Sequence, residues 1–266
     1  MPDTVLCLIM SDGIEFHTHS EIARLVLARP EKMNAISHSM WSAIPDVVAK
    51  VEADPAVKVL VLTGEGTHFS AGADIGEFRA LRSSADGAAA YDEAVTSAVR
   101  ALATMRKPSI AMIHGNCIGG GCQLAVACDI RFAATNARFG ITPAKLGIVY
   151  DFLSTRQLVA LVGPANARYL LLSGQLVDAG RAERMGLVNE VVEPGELDRI
   201  TTEFARTVCS RSQVSVRGMN EIVERILAGQ RDSDAEVERI RSDAVHSADY
   251  AEGVAAFLER RPPHFA

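Results

Sequence analysis

The sequence has no long basic run, no apolar run of membrane-spanning length and no cysteine pair at metal-ligand or redox spacing. The first absence, with 27 Lys plus Arg against 33 Asp plus Glu and a net charge of −6, argues against nucleic acid as a partner. The second excludes membrane-spanning helices. Five cysteines, Cys7, Cys117, Cys122, Cys128 and Cys209, form an odd set best read as reduced thiols of a cytoplasmic protein. No metal site is expected. The apolar run at residues 5–10 follows Asp3 and is too short for a secretion signal with a basic flank, so a cytoplasmic location is expected. There is no internal repeat and no low-complexity tract. A composition of 48% hydrophobic residues over 266 positions is enough for a sizeable core and excludes wholesale disorder.

Short β-branched runs alternate with helical patterns along the first half of the chain. Residues 5–10, 14–18 and 22–28 read as strands, the first two separated by the turn pair Asp12-Gly13. Trp41, Ile44, Val47, Val48 and Val51 recur at helical spacing, and 57–62 reads as a buried strand. Tyr91, Val95, Ala98, Leu102 and Met105 mark a second helix, followed by strands at 108–113 and 129–133. This order is the α/β signature. The later chain is mostly helical, with interruptions at Gly163-Pro164, Ser210 and Gly229 and an apolar stretch at 187–192. Pro194-Gly195 divides residues 1–195 from a helical region, 196–266. The segment 75–92, with Ser83-Ser84 and Gly87-Ala88-Ala89-Ala90, reads as mobile or short in side chain.

Two small-residue runs follow predicted strands. Gly119-Gly120-Gly121 leads into an apolar helix, without the Lys-Ser/Thr of a Walker loop or the alternating glycines of a Rossmann turn. Such glycines either build a tight turn or expose backbone N–H groups at a helix start. Phe69-Ser70-Ala71-Gly72-Ala73-Asp74 is the second run, with Asp74 placed as a helix cap ahead of Glu77. Two backbone donors converging on one oxygen make an oxyanion hole.

At these residues the chain resembles the crotonase superfamily, the enoyl-CoA hydratase/isomerase family. The resemblance is carried by Pro30-Glu31-Lys32-Met33-Asn34-Ala35, the 69–74 run and Gly115 to Ala125. It continues through Asp129-Ile130, Phe139-Gly140, Leu146-Gly147, Gly180 to Glu190 and Phe257 to Arg261, nearly the whole chain. It implies an α/β fold with a repeated ββα spiral core and a C-terminal helical region that trimerises. The assembly would be a trimer or a dimer of trimers. It implies an acyl-CoA thioester as substrate and no separate cofactor, coenzyme A entering as part of the substrate. By position, Ala71 and Gly120 supply the N–H groups of the oxyanion hole. Lys32, Met33 and Ala35 lie where the family contacts coenzyme A, and Gly72, Ala73 and Asp74 complete the substrate-binding run. Lys32 read alone is a surface lysine.

The departures from the family pattern bear on the reaction. Family hydratases carry one glutamate directly after Gly-Gly-Gly-Cys and another four residues before the glycine matching Gly147. This chain has Gln123 and Pro143 there. An amide side chain has no accessible ionisation and a proline has no polar side chain, so water addition loses both acid/base groups. Thr142-Pro143 instead reads as the start of a short helix. Tyr150-Asp151 is the remaining acid/base pair. The Asp151 position carries the acid of dienoyl-CoA isomerases and the nucleophile of a dehalogenase, and the Tyr150 position carries the pocket tyrosine of methylmalonyl-CoA decarboxylase. Asp151 equally suits a cap for the helix that follows. Local similarity to methylmalonyl-CoA decarboxylase extends over 139–148 and the tail, although that family usually has a histidine at the Ala73 position. The expected reaction is isomerisation or another proton transfer. Decarboxylation of a malonyl-type thioester and non-catalytic acyl-CoA binding are the alternatives. His68 and His114 read as structural hydrogen bonders, and Cys117 and Cys122 as buried small residues.

Overall fold

A parallel sheet with an antiparallel edge carries the molecule, and its faces bury two separate cores. The computed structural model describes residues 6–265. Its strands are β1 (Leu6–Ser11), β2 (Ile14–His19), β3 (Ile22–Leu27), β4 (Val59–Gly64), β5 (Ser109–Ile113), β6 (Asn116–Ile118), β7 (Ile130–Ala134), β8 (Arg138–Gly140), β9 (Val177–Asp178) and β10 (Glu190–Val192). The helices are α1 (His38–Ala53), α2 (Phe78–Leu81), α3 (Ala85–Ala103), α4 (Gly120–Ala127), α5 (Phe152–Ser173), α6 (Ala179–Arg184), α7 (Leu197–Cys209), α8 (Gln213–Leu227), α9 (Ala235–Val245) and α10 (Ala248–Glu259). The main sheet has the order β1-β2-β3-β4-β5-β7-β10, and β6-β8-β9 form a smaller one. Pairing is antiparallel across β1, β2 and β3 and parallel from β3 to β10.

The two-residue period of a strand explains the double core. Leu60 and Leu62 of β4 join Ala111 and Ile113 of β5 on the face covered by α1, α3 and α4. Val59 and Val61 join Ile110, Met112 and Phe132 on the other face, against Leu197 and Ala205 of α7. Each fully buried Leu or Ile contributes about 2 kcal/mol. The expected strands and helices are present, shifted by one or two residues, with Val5 of the first strand outside the described residues. The Gly163-Pro164 interruption is real: α5 is kinked where Gly163 has φ 73°. The two expected breaks fall at the ends of α7 and α8.

Two readings gain detail. Residues 75–92, read as mobile or short in side chain, are largely helical, with a break at 82–84. Ser84 caps α3 by accepting from the Gly87 N–H, and the alanines behind it are strong helix formers. The short helix starts at Thr142-Pro143 as expected, with Thr142 at the cap position and its hydroxyl making no capping bond.

Loops converge at the ends of β3, β4 and β5, and one side chain fastens the first two together. Asn34 is fully buried with φ 54°, a conformation asparagine tolerates better than most residues. Its Oδ1 accepts from the Arg29 N–H at 3.0 Å, and its Nδ2 donates to the carbonyls of Glu65 at 2.8 Å and His68 at 2.6 Å. Asn34→Ala leaves three backbone groups without these partners. It should destabilise the protein by about 3 kcal/mol in urea unfolding; a loss under about 1 kcal/mol would contradict this role.

Candidate active site

The run 69–74 is stitched between two neighbours, and the stitching decides which amides remain free. Ser70 N–H donates to Asn116 O, and Ile118 N–H donates to Ser70 O. On the other side, Ile36 N–H donates to Gly72 O and Asp74 N–H to Ile36 O. Gly72 N–H reaches the Ser70 hydroxyl at 3.1 Å, and that hydroxyl donates to Asn34 O at 2.7 Å. Ala71 N–H donates to Met33 O at 2.9 Å. Ala71 is therefore not the expected oxyanion donor, because its N–H already serves the loop. In this run only Ala73 keeps an N–H without an acceptor among the described residues. An extended chain turns successive amides to opposite sides, so the bonds on either side of Ala73 to Ile36 direct its own N–H away from that neighbour.

Gly120 stands opposite. It is the first residue of α4, where N–H groups have no intrahelical acceptor, and its N–H too has none among the described residues. A Cβ on Gly120 would come within 2.7 Å of the Trp41 ring and 3.3 Å of Ala73 N. The neighbouring glycines serve other ends. Gly119 turns the chain with φ 53°, and a Cβ on Gly121 would meet Ser70 at 2.7 Å.

These residues line a cavity of about 520 Å³. Ala71, Gly72, Ala73, Gly120, Tyr150 and Asp151 all face it, as do Gln123 and Pro143. Asp151 is both a cap and part of the wall. Its Oδ1 accepts from the Ser154 N–H at 2.9 Å, capping α5, and its Oδ2 accepts from Gln123 Nε2 at 2.7 Å. The same amide donates to Ser154 Oγ at 2.8 Å. Gln123, at the position of a family glutamate, thus holds the carboxylate in place. Tyr150 buries its hydroxyl with no partner among the described residues. Burial pushes this phenol well above its ordinary pKa, with Cys122 and Asp151 adding to the effect, so it is a proton carrier at neutral pH. Cys117 and Cys122 are buried, and burial raises the Cys117 thiol. His68 Nδ1 accepts from the Asn116 N–H, whereas His114 Nε2 is buried and unpartnered among the described residues.

The other expected ligand residues lie on the loop beside the cavity and do not line it. Met33 lends its carbonyl to Ala71, and Ala35 lends its own to Arg29 at 2.8 Å. Asp74 is not a free ligand group. Its carboxylate is held by Arg29 and Lys32, each at 3.0 Å, and caps the next turn through Gly76 N–H. Lys32 is half exposed at the rim. Arg29, Trp41 and Tyr91 were not singled out as site residues by the sequence; Trp41 and Tyr91 appear there only as core positions at helical spacing.

The model of the enoyl-CoA hydratase/isomerase family matches residues 17–266. A crotonyl-CoA hydratase of Syntrophomonas wolfei is 36% identical over 96% of this chain and 98% of its own length. A peroxisomal Delta(3,5)-Delta(2,4)-dienoyl-CoA isomerase of Arabidopsis thaliana is 31% identical over 95% of both chains. The crystal structure of an enoyl-CoA hydratase/isomerase family protein from Hyphomonas neptunium superimposes with a TM-score of 0.93 at 37% identity, covering 97% of this chain and 98% of that one. The chain belongs to the enoyl-CoA hydratase/isomerase family, and its fold is the crotonase α/β fold with a helical C-terminal region.

The ion cluster at Asp74 sets a pH dependence. Burial alone would raise this carboxyl, but the hydrogen bonds from Lys32, Arg29 and Gly76 outweigh it and hold the pKa below the ordinary value. A depressed native pKa adds stability that is complete above the unfolded carboxyl pKa and lost as pH falls through the native one. The stability gap between wild type and Asp74→Asn should therefore be constant at neutral pH and shrink below about pH 4. A gap that widens on acidification would contradict the assignment.

Proposed function

We propose that this chain is an acyl-CoA enzyme that stabilises a thioester enolate and moves a proton, with double-bond isomerisation as the favoured reaction. The observation that carries this reading is the pair of N–H groups, of Ala73 and Gly120, that have no acceptor among the described residues and stand at the wall of one cavity. Each such donor is worth about 3 kcal/mol when it meets an oxyanion. Hydrogen bonds aimed at the thioester oxygen acidify the adjacent carbon, and Asp151 takes or returns its proton. Tyr150, neutral and buried, relays or donates within the same wall. Lys32 at the rim is the cation offered to the coenzyme A moiety.

Two features favour proton transfer over hydration. Gln123 is committed as a donor to Asp151 and Ser154, and an amide cannot activate water. Pro143, at the second glutamate position, faces the cavity without a polar side chain. The Asp151 carboxylate on the wall also disfavours a malonyl-type substrate, whose own carboxylate it would repel by about 4 kcal/mol at contact distance. Apolar side chains exposed on the C-terminal helices, with Phe257 at 83% and Leu258 at 75%, support assembly into a trimer or dimer of trimers. Sedimentation should give a multiple of three copies; a monomer at micromolar concentration would remove this part of the proposal.

Incubation of an acyl-CoA panel in D₂O tests the chemistry directly. The enzyme should exchange deuterium into the acyl carbons of at least one member. Asp151→Asn should lower that exchange by 10²- to 10⁴-fold, since the amide cannot carry the proton. Asparagine keeps the cap on Ser154 but turns a donor toward Gln123 Nε2, so a melting curve confirms that the variant is folded before exchange is compared. Exchange unchanged in Asp151→Asn would sink the assignment of Asp151.

A further inference from the structure

Gln123 is the fourth residue of α4, and its side chain crosses to the start of α5. It is buried, and its amide nitrogen is fully used: Nε2 donates to Asp151 Oδ2 at 2.7 Å and to Ser154 Oγ at 2.8 Å. Ser154 is buried too, and its backbone N–H donates to the other carboxylate oxygen, Asp151 Oδ1, at 2.9 Å. The carboxylate thus receives one donor on each oxygen, from two different helices, while Asp151 lines the cavity.

These donors fix a charge state as well as a place. A hydrogen bond donated to a carboxylate favours its ionised form. An amide donates without an ionisation of its own, so nothing at position 123 competes with Asp151 for a proton. A glutamate there would act in the opposite sense. Two carboxyl groups in contact hold one proton between them, and the second ionisation is pushed up. The other ionisable groups nearby do not replace this effect. Burial keeps the Tyr150 phenol protonated, with Cys122 and Cys117 beside it. Arg82 and Asp92 line the same cavity from the α2–α3 side and pair with each other at 2.7 Å. Tyr91, on that side as well, is raised by burial to about 12. Lys145 lies beside Gly174, and Arg156 of α5 offsets Glu224 of α8.

We propose that Gln123 is the positioning residue that holds Asp151 as a single, ionised base and so sets the acidic limit of the pH range in which the enzyme moves protons. Ser154 serves the amide in turn by taking its second N–H. The proposal rests on the assignment of Asp151 as the proton carrier.

Deuterium exchange into the acyl group, followed from weakly acidic to weakly basic pH, tests it. The wild-type rate should be level at neutral pH and fall only below about pH 5, where the carboxylate takes up its proton. In Gln123→Glu this falling limb should move up by at least one pH unit, because the shared proton must leave before Asp151 can act. At higher pH kcat should recover to within about tenfold of wild type, with KM changed by less than about threefold, since the base itself is intact. Gln123→Met has a side chain of similar length and no donor, and it should move the limb in the same direction by a smaller amount. Melting curves confirm folding, and either variant that folds is sufficient. A kcat that falls equally at every pH, with the limb unmoved, would show a packing role only and overturn the proposal. If the wild type exchanges no deuterium, or Asp151→Asn exchanges as fast as wild type, the proton-transfer reading fails first and this proposal with it.

Discussion

The way residues 70–74 share out their amide hydrogen bonds between two neighbours, with a turn at Gly72 (φ 104°), is the constraint on which the site depends. The run lies between Met33 and Ile36 on one side and Asn116 and Ile118 on the other. Each neighbour claims the amides that face it. What remains is one N–H, that of Ala73, turned toward the start of α4. The donor is free because every adjacent amide is occupied, so loop packing and chemistry are one arrangement. Asn34 is essential for the same reason: it closes the loop that supplies the Met33 carbonyl.

The second donor has a different origin. A helix start always leaves N–H groups unclaimed, and α4 points its first one at the cavity. Side chains would block the approach, since a Cβ on Gly120 collides with Trp41. The three consecutive glycines thus meet three needs: a left-handed turn, an open donor and close packing on Ser70. Around them the cavity wall is unusually rich in polar groups held by few partners. Gln123 and Asp151 bond to each other, while the polar atoms of Trp41, Tyr91 and Tyr150 are buried without a well-formed hydrogen bond among the described residues.

The strands of the main sheet were legible because β-branched runs between turn residues carry their own signature, and the amphipathic helices α1 and α3 followed from spacing. The two-sided core was not legible, since alternation along Val59 to Leu62 is hidden when both faces are apolar. The short strands β6 and β8 were invisible for a different reason: three residues in a glycine-rich stretch show no period. At the site, Gly120, Tyr150 and Asp151, expected from their positions, line the cavity, and Asp74 is the cap its spacing to Glu77 suggests. Ala71 and Ala73 are both alanines flanking one glycine, and only the hydrogen bond from Ala71 N–H to Met33 O distinguishes them. Trp41 and Tyr91 looked like core residues, which they are by burial. Nothing in helical spacing tells that their polar atoms lack a well-formed hydrogen bond among the described residues.

The structure of the enzyme with an acyl-CoA bound tests the central claim most directly. The account predicts the thioester oxygen within about 3 Å of both Ala73 N and Gly120 N, with Ala71 N–H still donating to Met33 O. A thioester oxygen bound by Ala71 N–H after release from Met33, or one lying away from Gly120, would contradict it.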